Sequence, residues 1–382
     1  MNKVLLFLLV LCGATPVLGQ NLLTVTRDSI VSEVLQETRS YQIKLPPSYE
    51  AYSTSKRYPV VVVLDGDHLF DITSSTIDFL SKTGKIPESI VVGVSNTRRT
   101  RDFTPTHTKT NYEGILDEGL SESGGAAQFL DFLEQELFES LKEKYRLNDY
   151  FLLIGHSFGG LFGGYALTEN SMIDAYILID PSLWWDDEVL VHKLSPDLGR
   201  GGKRIYLTSA DNFDYSQDME RMRDGQRQFY QHLREQGVSE EAIAFHIYED
   251  ENHGTVPLRS IVDGINFIFD GYFVKGMKYQ SAEELVTHFN RFEDRMQHDF
   301  PALEGMINWL ASRKMASEEY LEATEMLLMN AKNYPDSWKA NYNLGLSYEK
   351  QGDEEQARKY YQRALELNPD NENILLKIKG DE

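Results

Sequence analysis

"YFLLIGHSFGGLFGGYAL", residues 150–167, is the stretch from which the rest of the chain can be read. Tyr150–Ile154 is an unbroken apolar run of strand length, and a glycine-spaced apolar run of helical character begins at Phe158. Between them, Gly155 to Gly159 satisfies Gly-x-Ser-x-Gly, the pattern of a sharp strand-to-helix turn that lifts a serine hydroxyl above a sheet. Such a turn needs backbone angles costly for most residues, and the glycines at 155 and 159 supply the freedom. The pentapeptide also fits a turn whose serine only caps the helix, but the strand before it and the helix after it favour Ser157 as a nucleophile.

The pattern repeats on both sides. "YPVVVVLDGD", "SIVVGVS", "DAYILIDPS", "KRIYLTSA" and "AFHIYED" read as strands buried on both faces, each closed by Gly, Asp or Ser. "AAQFLDFLEQELFESLKEKY", "MERMRDGQRQFYQHLREQG" and "LRSIVDGINFIF" have helical periodicity and lie between or after them. Strand and helix in alternation predict a mostly parallel sheet covered by helices on both faces. The earlier "NLLTVTRDSIVSEVLQETRSYQIKLPP" reads as antiparallel strands leading in.

After about Gly271 the β-type runs vanish. Within 338–371, Leu344, Gly345, Tyr348, Gly352, Ala357, Tyr361, Ala364 and Pro369 fall at the spacings of a tetratricopeptide unit. A preceding window, about 304–337, keeps Leu310, Ala311, Ala323 and Pro335 in register without the glycine and tyrosine markers. One clear unit with one degraded neighbour is marginal alone, so it is expected to pack on the first domain. The expected organisation is a leader over 1–19, an α/β domain over 20–275 and a small all-α domain over 276–382.

Composition narrows the function. The chain has 382 residues, 38 Lys+Arg against 60 Asp+Glu, and a formal net charge of -22, which repels phosphate backbones and anionic lipid. Nucleic acid is not expected as a partner. "MNKVLLFLLVLCGATPVLGQ" has the layout of a secretory signal peptide cleaved near Gly19 and is too short to span a bilayer comfortably, so no stable membrane insertion is expected. Cys12, the single cysteine, lies inside that segment, which leaves the mature chain without disulfides or thiolates. These features suit a periplasmic or secreted protein.

A serine nucleophile needs a base. His253, in "EDENHGTVP" after the last strand of the α/β domain, stands where α/β-hydrolases place it, the serine preceding the histidine in the chain. The acid is expected after the strand between them, in "RIYLTSADNFDY": Asp211 first, Asp214 second, with Glu251 or no acid at all as alternatives. Oxyanion donors are expected from the main chain of Phe158, at a helix start, and of Asp67, after "VVVVLDGD". The side chains of Asp65 and Asp67 are too few ligands for a cation site, and the chemistry asks for no metal or organic cofactor.

Taken together, "LPPSY", "YPVVVVLDGD", "NTRRTRDFTPT", "IGHSFGGLFGGYAL", "DPSLWW" and "ENHGTVP" resemble the esterase family of α/β-hydrolases that includes siderophore trilactone esterases, S-formylglutathione hydrolases, feruloyl esterases and mycolyltransferases. The enterobactin-esterase-like branch, some of whose members carry a helical or tetratricopeptide extension, is the most similar. The resemblance implies an α/β-hydrolase fold, Ser157 as nucleophile, His253 as base and oxyanion donors at Asp67 and Phe158. It also implies that the acid can be missing, since the branch is noted for a Ser-His pair.

Two stretches bear on specificity. Arg98, Arg99 and Arg101 follow a strand at the carboxyl edge of the sheet and are candidates, Arg98 and Arg101 above all, for receiving an anionic substrate, with surface ion pairs as the competing reading. Trp184 and Trp185 are candidates for walling an aromatic or acyl pocket, although core packing would explain at least one. The expected function is an exported serine esterase acting on siderophore-type lactones or on aryl and acyl esters. Alternatives are a feruloyl or acetyl polysaccharide esterase, and an interaction protein that docks a partner through its tetratricopeptide end.

Overall fold

The computed structural model describes residues 25–50, 55–193, 202–211, 218–275 and 281–379. The expected leader 1–19, with Cys12, and Asp214 lie outside the described residues. The strands are β1 (Val25–Ser32), β2 (Glu37–Lys44), β3 (Tyr58–Val63), β4 (Ile90–Val94), β5 (Leu147–His156), β6 (Ala175–Ile179), β7 (Arg204–Ala210) and β8 (Ile243–Tyr248). They form one sheet in the order β1-β2-β4-β3-β5-β6-β7-β8. β1 and β2 pair antiparallel, β2 meets β4 antiparallel, and from β4 to β8 every pairing is parallel.

Helices α1 (Gly66–Lys82), α2 (Arg99–Phe103), α3 (Ala126–Asp131), α4 (Phe138–Lys144), α5 (Phe158–Thr168), α6 (Trp185–His192), α7 (Asp218–Glu235) and α8 (Val256–Ile268) connect or follow these strands. Their sequences dictate two cores. Val60, Val62, Leu153 and Leu178 face one cluster, where α3, α4, α5 and α7 contribute Phe129, Phe138, Phe162 and Phe229. Val61, Val63, Leu152 and Ile177 face the other, against Phe70 of α1 and Ile261 and Ile265 of α8. Successive residues of a strand point to opposite faces, so two-sided burial requires the continuous apolar runs seen in the sequence. Each such fully buried aliphatic side chain is worth about 1.5–3 kcal/mol relative to exposure.

One helical reading needs correction. "AAQFLDFLEQELFESLKEKY" is not a single regular helix: a π-helical turn, Phe132–Leu137, separates α3 from α4. The wider turn presents Glu136 to the β1-β2 hairpin, where its Oε1 accepts from the N–H groups of Glu33 and Val34 at 2.7 and 3.0 Å.

From Ala282 onward every described element is helical: α9 (Ala282–Met296), α10 (Glu304–Ala316), α11 (Tyr320–Asn333), α12 (Trp338–Gln351), α13 (Glu354–Leu367) and α14 (Glu372–Lys379). In the α12-α13 pair a Cβ on Gly345 would approach Tyr361 Cδ1 to 2.7 Å, so the glycine permits the close crossing. The helices share the α8-side core, which runs without a break from Val61 through Phe269 and Phe300 to Leu344. Tyr150 of β5 meets Phe300 edge-on at 5.3 Å, and Asn148 Nδ2 donates to Asp299 O at 2.9 Å.

Candidate active site

Ser157 sits at the N-cap of α5 with φ 59 and ψ -118, so the strain of the turn falls on the serine itself. Gly155 serves the turn by close approach: a Cβ there would overlap the Gly159 carbonyl. The turn is tied to β6, since Ser157 N–H donates to Ile179 O at 3.0 Å and Ser182 N–H donates to Ser157 O at 3.2 Å. The Ser157 and Ser182 hydroxyls are 3.4 Å apart.

His253 arrives at the same carboxyl edge from the β8-α8 connection. Asn252 shapes that loop by accepting, through Oδ1, the N–H groups of Gly254 and Thr255 at 3.0 and 3.2 Å. The His253 ring lies 4.4 Å from that of His156, the residue directly before the serine. The histidine and the Ser157 turn are thus brought together.

The carboxylate that meets His253 is none of the three expected from the sequence. His253 Nδ1 is 2.7 Å from Oδ2 of Asp180, at the end of β6, and not paired with Asp211 at the end of β7. Asp211 is engaged elsewhere, accepting Arg223 Nη2 on Oδ1 at 2.6 Å, and Glu251 lies 3.6 Å from Arg259. Asp180 is 1% exposed, and its Oδ1 accepts from Ala210 N–H at 3.1 Å and from Gln226 Nε2 at 2.9 Å. Burial pushes its pKa up, but the bond from His253, with those from Gln226 and Ala210, more than offsets this and holds the carboxyl below the usual range. An ionised Asp180 accepting from Nδ1–H leaves the lone pair of neutral His253 on Nε2.

Phe158 opens α5 and Asp67 lies in the first turn of α1, where main-chain N–H groups have no intrahelical partner and the helix dipole favours negative charge. The two helix starts adjoin, since a Cβ on Gly159 would lie 3.5 Å from Leu64 Cβ. Gly66 serves a separate close approach, of α1 to β4, because a Cβ there would fall 2.6 Å from the Gly93 carbonyl carbon. The carboxylates nearby are occupied: Asp65 accepts from Arg99 Nε and Asn96 Nδ2, both at 2.6 Å, and Asp67 from Ser95 Oγ at 2.9 Å.

The three arginines separate. Arg98 forms an exposed pair with Glu122, its Nε donating at 3.0 Å, and Arg101 is taken up by Glu37 and Asp102 in a network with buried Arg39. Arg101 therefore reads as a structural cation and not as a free anion receptor. Arg99 is the one joined to the Ser157 turn, donating from Nη2 to His156 O at 3.2 Å while paired to Asp65. The tryptophans separate too. Trp185 is wholly buried, with its N–H on Thr106 Oγ1 at 3.1 Å, so it is core. Trp184 keeps an edge on a small cleft of about 70 Å³ with Tyr112 and Asn111, and lies 6.2 Å from the Phe158 ring.

The eight-stranded order, the serine turn after β5 and the histidine after β8 are the arrangement of an α/β-hydrolase. Residues 32–179 match the family model "Putative esterase". The esterase match runs from the end of β1 through β6 and includes the Ser157 turn, and residues 338–371 match the tetratricopeptide repeat. Among solved structures, an IroE-like serine hydrolase from Shewanella oneidensis is 28% identical with a TM-score of 0.71, covering 81% of this chain and 99% of that one. An uncharacterised protein from Capnocytophaga ochracea, 20% identical with a TM-score of 0.58, shares the fold over 94% of this chain and 99% of its own. The siderophore enterobactin esterase of Emericella nidulans is 28% identical over 197 residues, covering 47% of this chain and 61% of that protein. Among the described residues no helix is long and apolar enough to cross a membrane.

Proposed function

We propose that this protein is a serine esterase. Ser157 Oγ attacks an ester carbonyl carbon as His253 Nε2 takes its proton, and the tetrahedral oxyanion is received by the N–H groups of Phe158 and Asp67. Asp180 fixes the imidazole tautomer and stabilises the imidazolium. The imidazolium then gives its proton to the departing alkoxide, and water, activated by the same nitrogen, releases the acid from Ser157. The single observation that carries this reading is the 2.7 Å bond from His253 to buried Asp180 at the sheet edge where Ser157 is raised.

The substrate reading follows the relatives: a siderophore-type lactone or another ester with an aryl group, which Phe158, Trp184 and Tyr112 would flank. The leader-like first 19 residues support export to the periplasm or medium, which fractionation of expressing cells would check. A fluorophosphonate probe tests the nucleophile, with labelling of the wild type and none of Ser157→Ala as the expected result. Labelling that survives Ser157→Ala would overturn the proposal. Rates on short-chain nitrophenyl esters, feruloyl esters and a catecholate trilactone would rank the substrates.

A further inference from the structure

Gln226 lies on α7, far along the chain from both Ser157 and His253, and nothing in the relay as described requires it. It is fully buried, yet it is an amide where an apolar residue of equal size would fill the space. Its Nε2 donates to two acceptors, Asp180 Oδ1 at 2.9 Å and Pro181 O at 3.0 Å. Both neighbours can only accept, so the amide must present its NH2 to them. Its own Oε1 is buried and has no partner among the described residues.

A buried carbonyl oxygen without a donor destabilises a fold, so the glutamine is a net burden unless its two N–H groups accomplish something. They clamp an unusual piece of backbone. Asp180 has φ 40, a left-handed angle that favours glycine, and the next two residues lead to Ser182 beside the nucleophile. Gly225 brings α7 close, since a Cβ there would already touch Leu183 O at 3.4 Å. With Ala210 N–H on the same oxygen, Gln226 saturates Oδ1 and leaves Oδ2 as the one carboxylate oxygen turned to His253.

We propose that Gln226 is a positioning residue for the esterase relay: it holds the Asp180 carboxylate in the rotation that orients His253 and anchors the strained turn through Pro181 O. The inference rests on the serine-esterase reading and deepens it. It assigns α7 a part in the chemistry, through the acid and without touching substrate.

The test is a double-mutant cycle on the full-length protein with a nitrophenyl ester. Gln226→Met keeps the volume and removes both donors. In the wild-type background kcat is expected to fall about 10- to 100-fold with KM little changed, the loss of a hydrogen bond to a charged group. In an Asp180→Asn background the same change is expected to lower kcat less than about twofold, because the residue acts through a group already lost. If Gln226→Met does not fold, Gln226→Asn, which keeps an amide one methylene too short, takes its place in the cycle. Equal losses in both backgrounds, or an unchanged kcat in the wild type, would overturn the inference alone. A full rate for Asp180→Asn by itself would instead bring down the relay, and this inference with it.

Discussion

His156 and His253 lie ring against ring, with centroids 4.4 Å apart and planes tilted by 37°. Two imidazoles this close cannot both carry charge cheaply, and the structure separates them by environment. His156 is half-buried with its Nε2 wholly enclosed, and this desolvation first, then the neighbouring His253, lowers its pKa to about 4. Near pH 7 the His156 ring is therefore neutral, and in the proposed mechanism it does not compete for the proton of Ser157.

That depression has a consequence for stability. The folded pKa of about 4 lies below the ordinary value of 6.5, so the unfolded chain binds the extra proton between the two. The contribution of neutral His156 is present above about pH 6.5 and is lost as pH falls toward 4, an effect on the order of 3 kcal/mol. Urea midpoints between pH 7 and 4.5 are expected to fall more steeply for the wild type than for His156→Gln. Parallel slopes would refute the assignment.

The acids make a paired prediction. Asp180→Asn removes the anion that holds the His253 tautomer, and kcat is expected to drop by about 10²- to 10⁴-fold, as for a triad acid. Asp211→Asn, which loses only the pairing with Arg223, is expected to stay within about threefold. Steady-state rates on one chromogenic ester decide between the two carboxylates.

Glycine substitutions separate close approach from mere composition. Gly155→Ala drives a methyl into the Gly159 carbonyl and is expected to abolish soluble, probe-reactive protein. Gly305→Ala, in the first turn of α10 with nothing within 4 Å of the added Cβ, is expected to stabilise by about 0.5 kcal/mol. Thermal melts of the two variants beside the wild type give the comparison.

The shared core predicts that the helical extension does not melt alone. Phe300 is buried against Tyr150, Phe269 and Phe292, so Phe300→Ala is expected to cost about 3–5 kcal/mol while unfolding remains a single transition. Two resolved transitions by circular dichroism and tryptophan fluorescence would show that the helices and the sheet fold independently.

What the sequence disclosed and what it withheld divide along physical lines. The turn at Ser157 and the parallel strands were legible because local pattern determines them: a buried run, a turn that excludes side chains, a helix. Chain order pointed to His253, whose ring lies 4.4 Å from that of His156. Asp180 was overlooked because a carboxylate after "AYILI" is joined to His253 and Gln226 only across 73 and 46 residues, which no local pattern links. A signal did exist, an aspartate at the carboxyl end of a wholly apolar strand. The rule favouring the later strand outweighed it. Arg101 was misread for a similar reason, as its acceptor Glu37 comes from β2, 64 residues away. Two tandem tryptophans look alike in sequence, and only packing shows that both are buried, Trp185 wholly and Trp184 with 8% of its surface left beside a small cleft.

Asp180 at the end of β6 makes β5 and β6, neighbours in the ladder, the carriers of both the Ser157 hydroxyl and the carboxylate that meets His253. Their separation is inherited from the spacing of a pleated sheet, which barely changes with temperature, while the imidazole rides on a loop. Warming should therefore unseat the imidazole first, and a heat-adapted descendant would gain most by stiffening the Asn252 turn, leaving the strands as they are.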